Sequence, residues 1–242
     1  MTALRVALTT YSVKPRGGVV HTLELAEALA EMGVDVTVIA MGDPDLGFFR
    51  EVSVRTHIVS APSGGDTLDE RVPLWIDAMA EGLEMMRGDF DLVHSQDCIS
   101  ARAAARVRDG QMARGEKPFE LIRTVHHVDD FTTESLMHCQ RQAIIEPDRV
   151  FVVSELWRKL LAEDYRVQAD VVPNGVRAER FAQPITPERR AELRDRVGAS
   201  DRYLFLTIGG IEPRKGSEFL VCLLYTSPSP RDATLSRMPS SA

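Results

Sequence analysis

Cysteine is scarce in this chain of 242 residues, with 3 in all. A disulfide framework of the kind that staples small secreted domains is therefore excluded. Cys98, Cys139 and Cys222 show no spacing typical of structural zinc. Positive charge is also short. The formal net charge is −7, and an acidic, mixed surface argues against a nucleic-acid binder. No apolar run approaches the length of a membrane span. The opening MTALRVAL has no signal-peptide pattern. With reduced thiols as the default, the expected setting is cytoplasmic. The glycine loops match neither the G-x-G-x-x-G of a dinucleotide fold nor the GK[ST] ending of a triphosphatase loop.

What is present begins at residue 4. Leu4 to Leu8 form an apolar run that enters a loop with Pro15, Arg16, Gly17 and Gly18. Leu23, Ala26, Leu29 and Ala30 then recur at helical spacing. Gly33 stops the helix, and Val34, Val36, Val38 and Ile39 open another strand. This reads as one βαβ unit. Glycines at the mouth of a helix let backbone N–H groups approach an anion, and the helix end adds partial positive charge. A phosphate-bearing ligand is one reading; a tight turn that needs glycine for its own backbone is the other. Asp43-Pro44-Asp45 reads as a turn.

The pattern then repeats. Strands are expected at 52–59, 91–95, 120–125, 149–153 and 170–172. Helices are expected at 68–86, 99–107, 133–145 and 155–163, the last capped by Ser154. Alternating strands and helices give an α/β fold, a parallel sheet with helices on both faces. Ligands bind at the carboxyl ends of such strands. The Gly17 loop, His94, His126 and Asn174 all fall on that edge.

Pro184, Pro187 and a charged stretch separate this region from a fresh apolar strand at 203–208. That strand opens into Gly209-Gly210-Ile211-Glu212-Pro213-Arg214-Lys215-Gly216 and a helix. This is a second anion-cradle candidate. The expected divisions are a lobe at 1–180, a linker at 181–200, the start of a second lobe at 201–221, and a tail at 222–242. The tail, CLLYTSPSPRDATLSRMPSSA, back-translates onto sequencing-adapter DNA. We expect it to be adapter read-through, with the helix begun at Ser217 stopping near Val221 and the tail disordered.

The ordered set of motifs resembles glycosyltransferase family 4, the retaining two-lobed enzymes of the GT-B fold. The carriers are PRGGVVHTLELAEALAEMGVDVTVIA, DLVHSQD at 91–97, TVHH at 124–127, FVVSE at 151–155, VVPNGV at 171–176 and LTIGGIEPRKG at 206–216. The resemblance implies an N-terminal Rossmann-like lobe plus a stub of the second lobe. It implies that Gly17 and Gly18 approach the diphosphate of a nucleotide-sugar donor. Lys215, with Arg214, would neutralise that diphosphate, and His126 would contact the donor sugar. Tyr11, Ser12 and His94 are candidate contacts to an acceptor glycan, lipid or small molecule. No cofactor or metal is implied beyond the donor. Asp89-Phe90-Asp91 imitates the metal element of the other glycosyltransferase fold, but it precedes its strand and reads as a solvated turn. The activity implied is sugar transfer with retention, absent from the chain as it stands because the family's acidic motif would lie past Val221. The alternatives are a non-catalytic nucleotide- or sugar-binding α/β protein and, in third place, an NAD-dependent enzyme. Peripheral membrane contact is left open.

Overall fold

The computed structural model describes residues 3–206 and 216–226. The chain divides into two units, Met1–Phe181 and Ala182–Ala242.

In the first unit, β1 (Arg5–Thr10) leads into α1 (Gly17–Glu31), β2 (Asp35–Gly42) and β3 (Arg55–Ser60). Then come α2 (Leu68–Met85), β4 (Leu92–Ser95), α3 (Cys98–Ala113) and β5 (Glu120–Val125). The unit continues through α4 (Glu134–Ile145), β6 (Arg149–Val152), α5 (Glu155–Leu160) and β7 (Asp170–Val171). All seven strands pair in parallel, in the order β3-β2-β1-β4-β5-β6-β7. Chain order reverses between β1 and β4, the switch point where doubly wound sheets open a crevice.

Both faces of the sheet are covered because strand side chains alternate. Val6, Leu8, Val36 and Val38 pack with Val19, Leu23 and Ala26 of α1. Ala7, Ile39, Val93 and Leu121 pack with Ile76, Met79 and Leu83 of α2 and Ala103, Ala104 and Val107 of α3. Each is nearly or fully shielded from water, and a buried Leu or Val contributes roughly 1.5–3 kcal/mol. Gly82 belongs to this packing. A Cβ there would stand 2.5 Å from Val59 Cγ2, so α2 could not lie as close to β3 with any larger residue.

Several boundaries differ from the sequence expectation. Helix α3 runs on to Ala113 past Gly110; the turn comes at Gly115, whose φ is +72°. After α5, the expected single helix relaxes into a π-helical turn, Leu161–Tyr165, that ends on left-handed Arg166. Ser154 precedes α5 without a side-chain cap bond.

In the second unit, α6 spans Pro187–Arg196, with Pro187 in its first turn and Thr186 Oγ1 accepting from Arg189 N at 3.2 Å. Residues 203–206 form no strand, contrary to expectation. The reason is pairing: no other strand is described in this unit, so a lone extended segment would have unfilled N–H and C=O groups. Thr207 and Ile208 lie outside the described residues. The last helix among the described residues, α7, spans Ser217–Thr226 and so continues past the expected stop at Val221. Cys222, Leu223, Leu224 and Tyr225 contain no Gly or Pro to end it.

Candidate functional site at the carboxyl edge of the sheet

The edge is built from the exits of β1, β4 and β5. Leaving β1, the chain passes Tyr11 and buried Ser12, whose Oγ accepts from Lys14 N at 3.2 Å. Arg16 then folds back onto Tyr11. Its guanidinium carbon lies 5.3 Å from the ring centroid, and Nη1 donates to the phenol oxygen. Trp75 flanks the same ring at 6.5 Å.

Arg16 is the residue before α1, and no side chain caps the first turn there. That turn also holds no acid. The first N–H groups of any helix need outside partners. Gly17 and Gly18 do not have positive φ, so no left-handed turn requires them. A Cβ built on either meets nothing within 4 Å, so packing does not require them either. Of the two readings of this loop, the turn that needs glycine for its own backbone is therefore unsupported. What the two glycines provide is open space over an uncapped helix end.

One helical turn further on, His21 meets the imidazole of His126 edge-on, with ring centroids 4.9 Å apart. His126 follows β5 and pairs through Nε2 with Gln96 Oε1 at 3.0 Å. The loop beyond it is pinned by Gln140. Its Oε1 accepts from Asp129 N at 2.8 Å, and its Nε2 donates to Asp129 O at 3.0 Å. His94 lies in β4, buried, with Nε2 on Thr124 Oγ1 at 2.8 Å and its ring against Phe151 at 5.8 Å.

Burial disfavours the protonated form of all three imidazoles. It lowers His21, and it pulls His94 down to about 3 with further repulsion from His21 and His126. Burial, followed by repulsion from His21, His127 and Arg123, pulls His126 down to about 4. The site therefore presents a neutral hydrogen-bonding imidazole beside a helix end that favours negative charge.

The structure thus gathers Gly17, Gly18 and His126 around α1, with Tyr11 and Ser12 at the entrance to the loop. His94 is near but shielded inside the sheet. Arg214 and Lys215, with the glycines before them, lie outside the described residues. Two residues to which the sequence attached no role prove central: Gln96, which holds His126, and Asp97, which caps α3. The signal for Asp97 was present, an Asp just before a helix. Nothing in the sequence pairs Gln96 with His126, which are 30 positions apart. Among the described residues no group of three or more His, Cys, Asp or Glu side chains could hold a metal ion. None of the described helices is long and apolar enough to cross a membrane.

Residues 15–180 match the family model for Glycosyltransferase Family 4. The chain belongs to glycosyltransferase family 4. The match runs from the glycine loop through β7, so it takes in every site residue of this edge except Tyr11 and Ser12. Among curated proteins, the chain is 28% identical over 228 residues to a phosphatidyl-myo-inositol mannosyltransferase of Mycolicibacterium smegmatis, covering 88% of this chain and 53% of the relative. A phosphatidyl-myo-inositol mannosyltransferase of Mycobacterium leprae is 26% identical, with 87% and 54% covered. The chain thus spans about half the length of the curated relatives it matches. Among solved structures, Anabaena HepE in complex with UDP-glucose superposes with a TM-score of 0.66 at 14% identity, covering 93% of this chain and 58% of that one. WaaG, a glycosyltransferase of lipopolysaccharide biosynthesis, gives 0.65 at 15%, covering 92% and 60%. These likenesses show the fold, that of GT-B glycosyltransferases.

Proposed function

We propose that this chain supplies one lobe of a retaining glycosyltransferase that moves a sugar from a nucleotide-sugar donor to an acceptor hydroxyl. The observation that carries the reading is the open, uncapped start of α1 at Gly17 and Gly18, with neutral His126 against His21 one helical turn along that helix. A leaving diphosphate needs hydrogen-bond donors and positive potential, which a helix N-terminus supplies without reorganisation. An oxocarbenium-like sugar needs no positive charge beside it, and His126 is held uncharged. The imidazole can therefore orient a sugar hydroxyl without repelling the developing cation. In this reading Lys215, aided by Arg214, neutralises diphosphate charge, as the family resemblance implies. Tyr11 and Ser12 serve the acceptor side in this reading, while His94 is enclosed by Thr124 and Phe151. Attack comes from the face that the leaving group vacates, with a donor phosphate oxygen taking the acceptor proton. The names of the curated relatives favour a mannose-bearing donor and an inositol-lipid acceptor as the first pair to test.

The experiment, on the complete enzyme to which this lobe belongs, is calorimetric titration with UDP, GDP, ADP and NAD, followed by NMR of the transferred sugar's anomeric configuration. Nucleoside-diphosphate binding with retained configuration is expected. Binding of NAD alone would refute the reading, as would product of inverted configuration. His126→Ala is expected to lower kcat about a hundredfold while changing nucleoside-diphosphate affinity less than threefold. Equal losses in both would remove His126 from the sugar.

A further inference from the structure

The two halves of the site are not neighbours in the sheet. The glycine loop leaves β1 and His126 leaves β5, and β4 lies between them. The two residues after β4 bridge to the exits of its two neighbours. Gln96 reaches one way, placing Oε1 3.0 Å from His126 Nε2. Asp97 reaches the other way, and its Oδ2 accepts from Tyr11 N at 2.8 Å. The second carboxylate oxygen, Oδ1, accepts from Ser100 N at 2.8 Å and so caps α3. Gln96 is itself fixed, since its own N–H donates to Thr9 O at 3.0 Å.

From Tyr11 the linkage runs on to the loop. Its ring carries the Arg16 guanidinium, and Arg16 is the residue before Gly17. Burial pushes the Asp97 carboxyl above the usual carboxylate range, opposed by the Ser100 and Tyr11 N–H groups and then by the buried guanidinium of Arg123. That guanidinium rests on Cys98 Sγ at 3.3 Å, next to Asp97 in the chain.

We infer that Gln96 and Asp97 are paired positioning residues that together set the spacing between His126 and the glycine loop. Asp97 anchors the loop through the Tyr11 amide, and Gln96 orients the His126 ring. This deepens the reading of the edge as a donor site and rests on it for its purpose. The mechanical linkage itself can be measured without any sugar.

The test is NMR on the whole chain labelled with ¹⁵N, comparing wild type with Asp97→Ser, Asp97→Asn and Gln96→Ala. Serine still caps a helix but is too short to reach Tyr11 N, so Asp97→Ser separates helix capping from loop anchoring. In wild type, the Tyr11 amide is expected to be protected although it lies beyond the strand. In Asp97→Ser, its exchange should quicken about tenfold or more, and the Gly17 and Gly18 amide resonances should move. The β2 and β3 amides should stay in place. In Gln96→Ala, the His126 ring nitrogens should shift while Gly17 and Gly18 do not. An unprotected Tyr11 amide in wild type would overturn the inference. So would unmoved Gly17 and Gly18 in both Asp97 variants, or unmoved His126 nitrogens in Gln96→Ala. If an Asp97 variant fails to fold, the wild-type exchange and the Gln96 arm still decide. Titrating inorganic pyrophosphate into wild type tests the donor reading separately. Silent Gly17 and Gly18 amides would sink that reading and leave the linkage standing on the exchange data.

Discussion

Two helices start at the same sheet edge on either side of the switch point, and they start in opposite ways. Helix α3 is closed: Asp97 fills its first turn with a carboxylate and ties that carboxylate to Tyr11. Helix α1 is open, with no cap bond, no acid in the first turn and two glycines facing empty space. The other helices of this unit side with α3. A capping box of Thr67 and Glu70 starts α2. Helices α4 and α5 lack a side-chain cap bond, yet each carries a glutamate in its first turn, Glu134 and Glu155. A chain that closes or neutralises its other helix starts in this unit has left one unfilled, the one to which the proposed function assigns the donor diphosphate.

The largest effect should come from closing the open end. Gly17→Asp or Gly18→Asp should weaken nucleoside-diphosphate binding by about a hundredfold or more, through charge repulsion in the space the ligand needs. Folding stability should hold or rise by about 0.5 kcal/mol, because an acid suits a helix N-terminus. Calorimetry beside urea denaturation reads both. Unchanged affinity would break the contrast between the two helices.

Opening the closed end is the reverse experiment. Asp97→Ala should cost about 2–3 kcal/mol of stability, since it removes a cap and strands the Tyr11 amide. A loss below about 0.5 kcal/mol in urea melts would show that α3 is not held this way.

The pH dependence comes next. His94 and His126 have folded-state values pulled down to about 3 and about 4, against 6.5 for an unperturbed imidazole. The unfolded chain therefore takes up protons that the folded chain does not. Stability is complete above about pH 6.5 and falls as pH drops toward the folded values. At pH 5 each imidazole should cost about 2 kcal/mol relative to pH 7. His126→Gln should remove its share of the slope. A flat profile from pH 7 to 5 would mean the rings are not buried neutral.

Smallest is the effect at α2. Thr67→Ala should cost about 1 kcal/mol and leave nucleotide binding untouched. Lost binding would mean that the closed ends also reach the site.

Much of this molecule was determined by the sequence on its own. The alternation of apolar runs with helical spacing dictates the elements, and β5 forms over Glu120–Val125 as its pattern requires. Gly33, at φ +86°, ends α1 because the chain needs a left-handed residue there. The placing of Gly17, Gly18 and His126 on one edge follows from each lying just past a parallel strand. These features are local, or follow from strand direction alone.

Other features arose only in three dimensions. Residues 203–206 carry strand-like side chains and yet form no strand, because pairing is a property of neighbours and not of composition. His94 looks like its fellow edge histidines in sequence, but Thr124 and Phe151 enclose it. Asp97 could be foreseen as a cap but not as a tether for Tyr11, and nothing forecast Gln96 as the holder of His126. Each of these partnerships joins residues 30 or more positions apart through the order β1-β4-β5-β6. Strand order is decided by which apolar faces pack together over the whole sheet, so the hydrogen bonds that tune the site come into being only once that packing is complete.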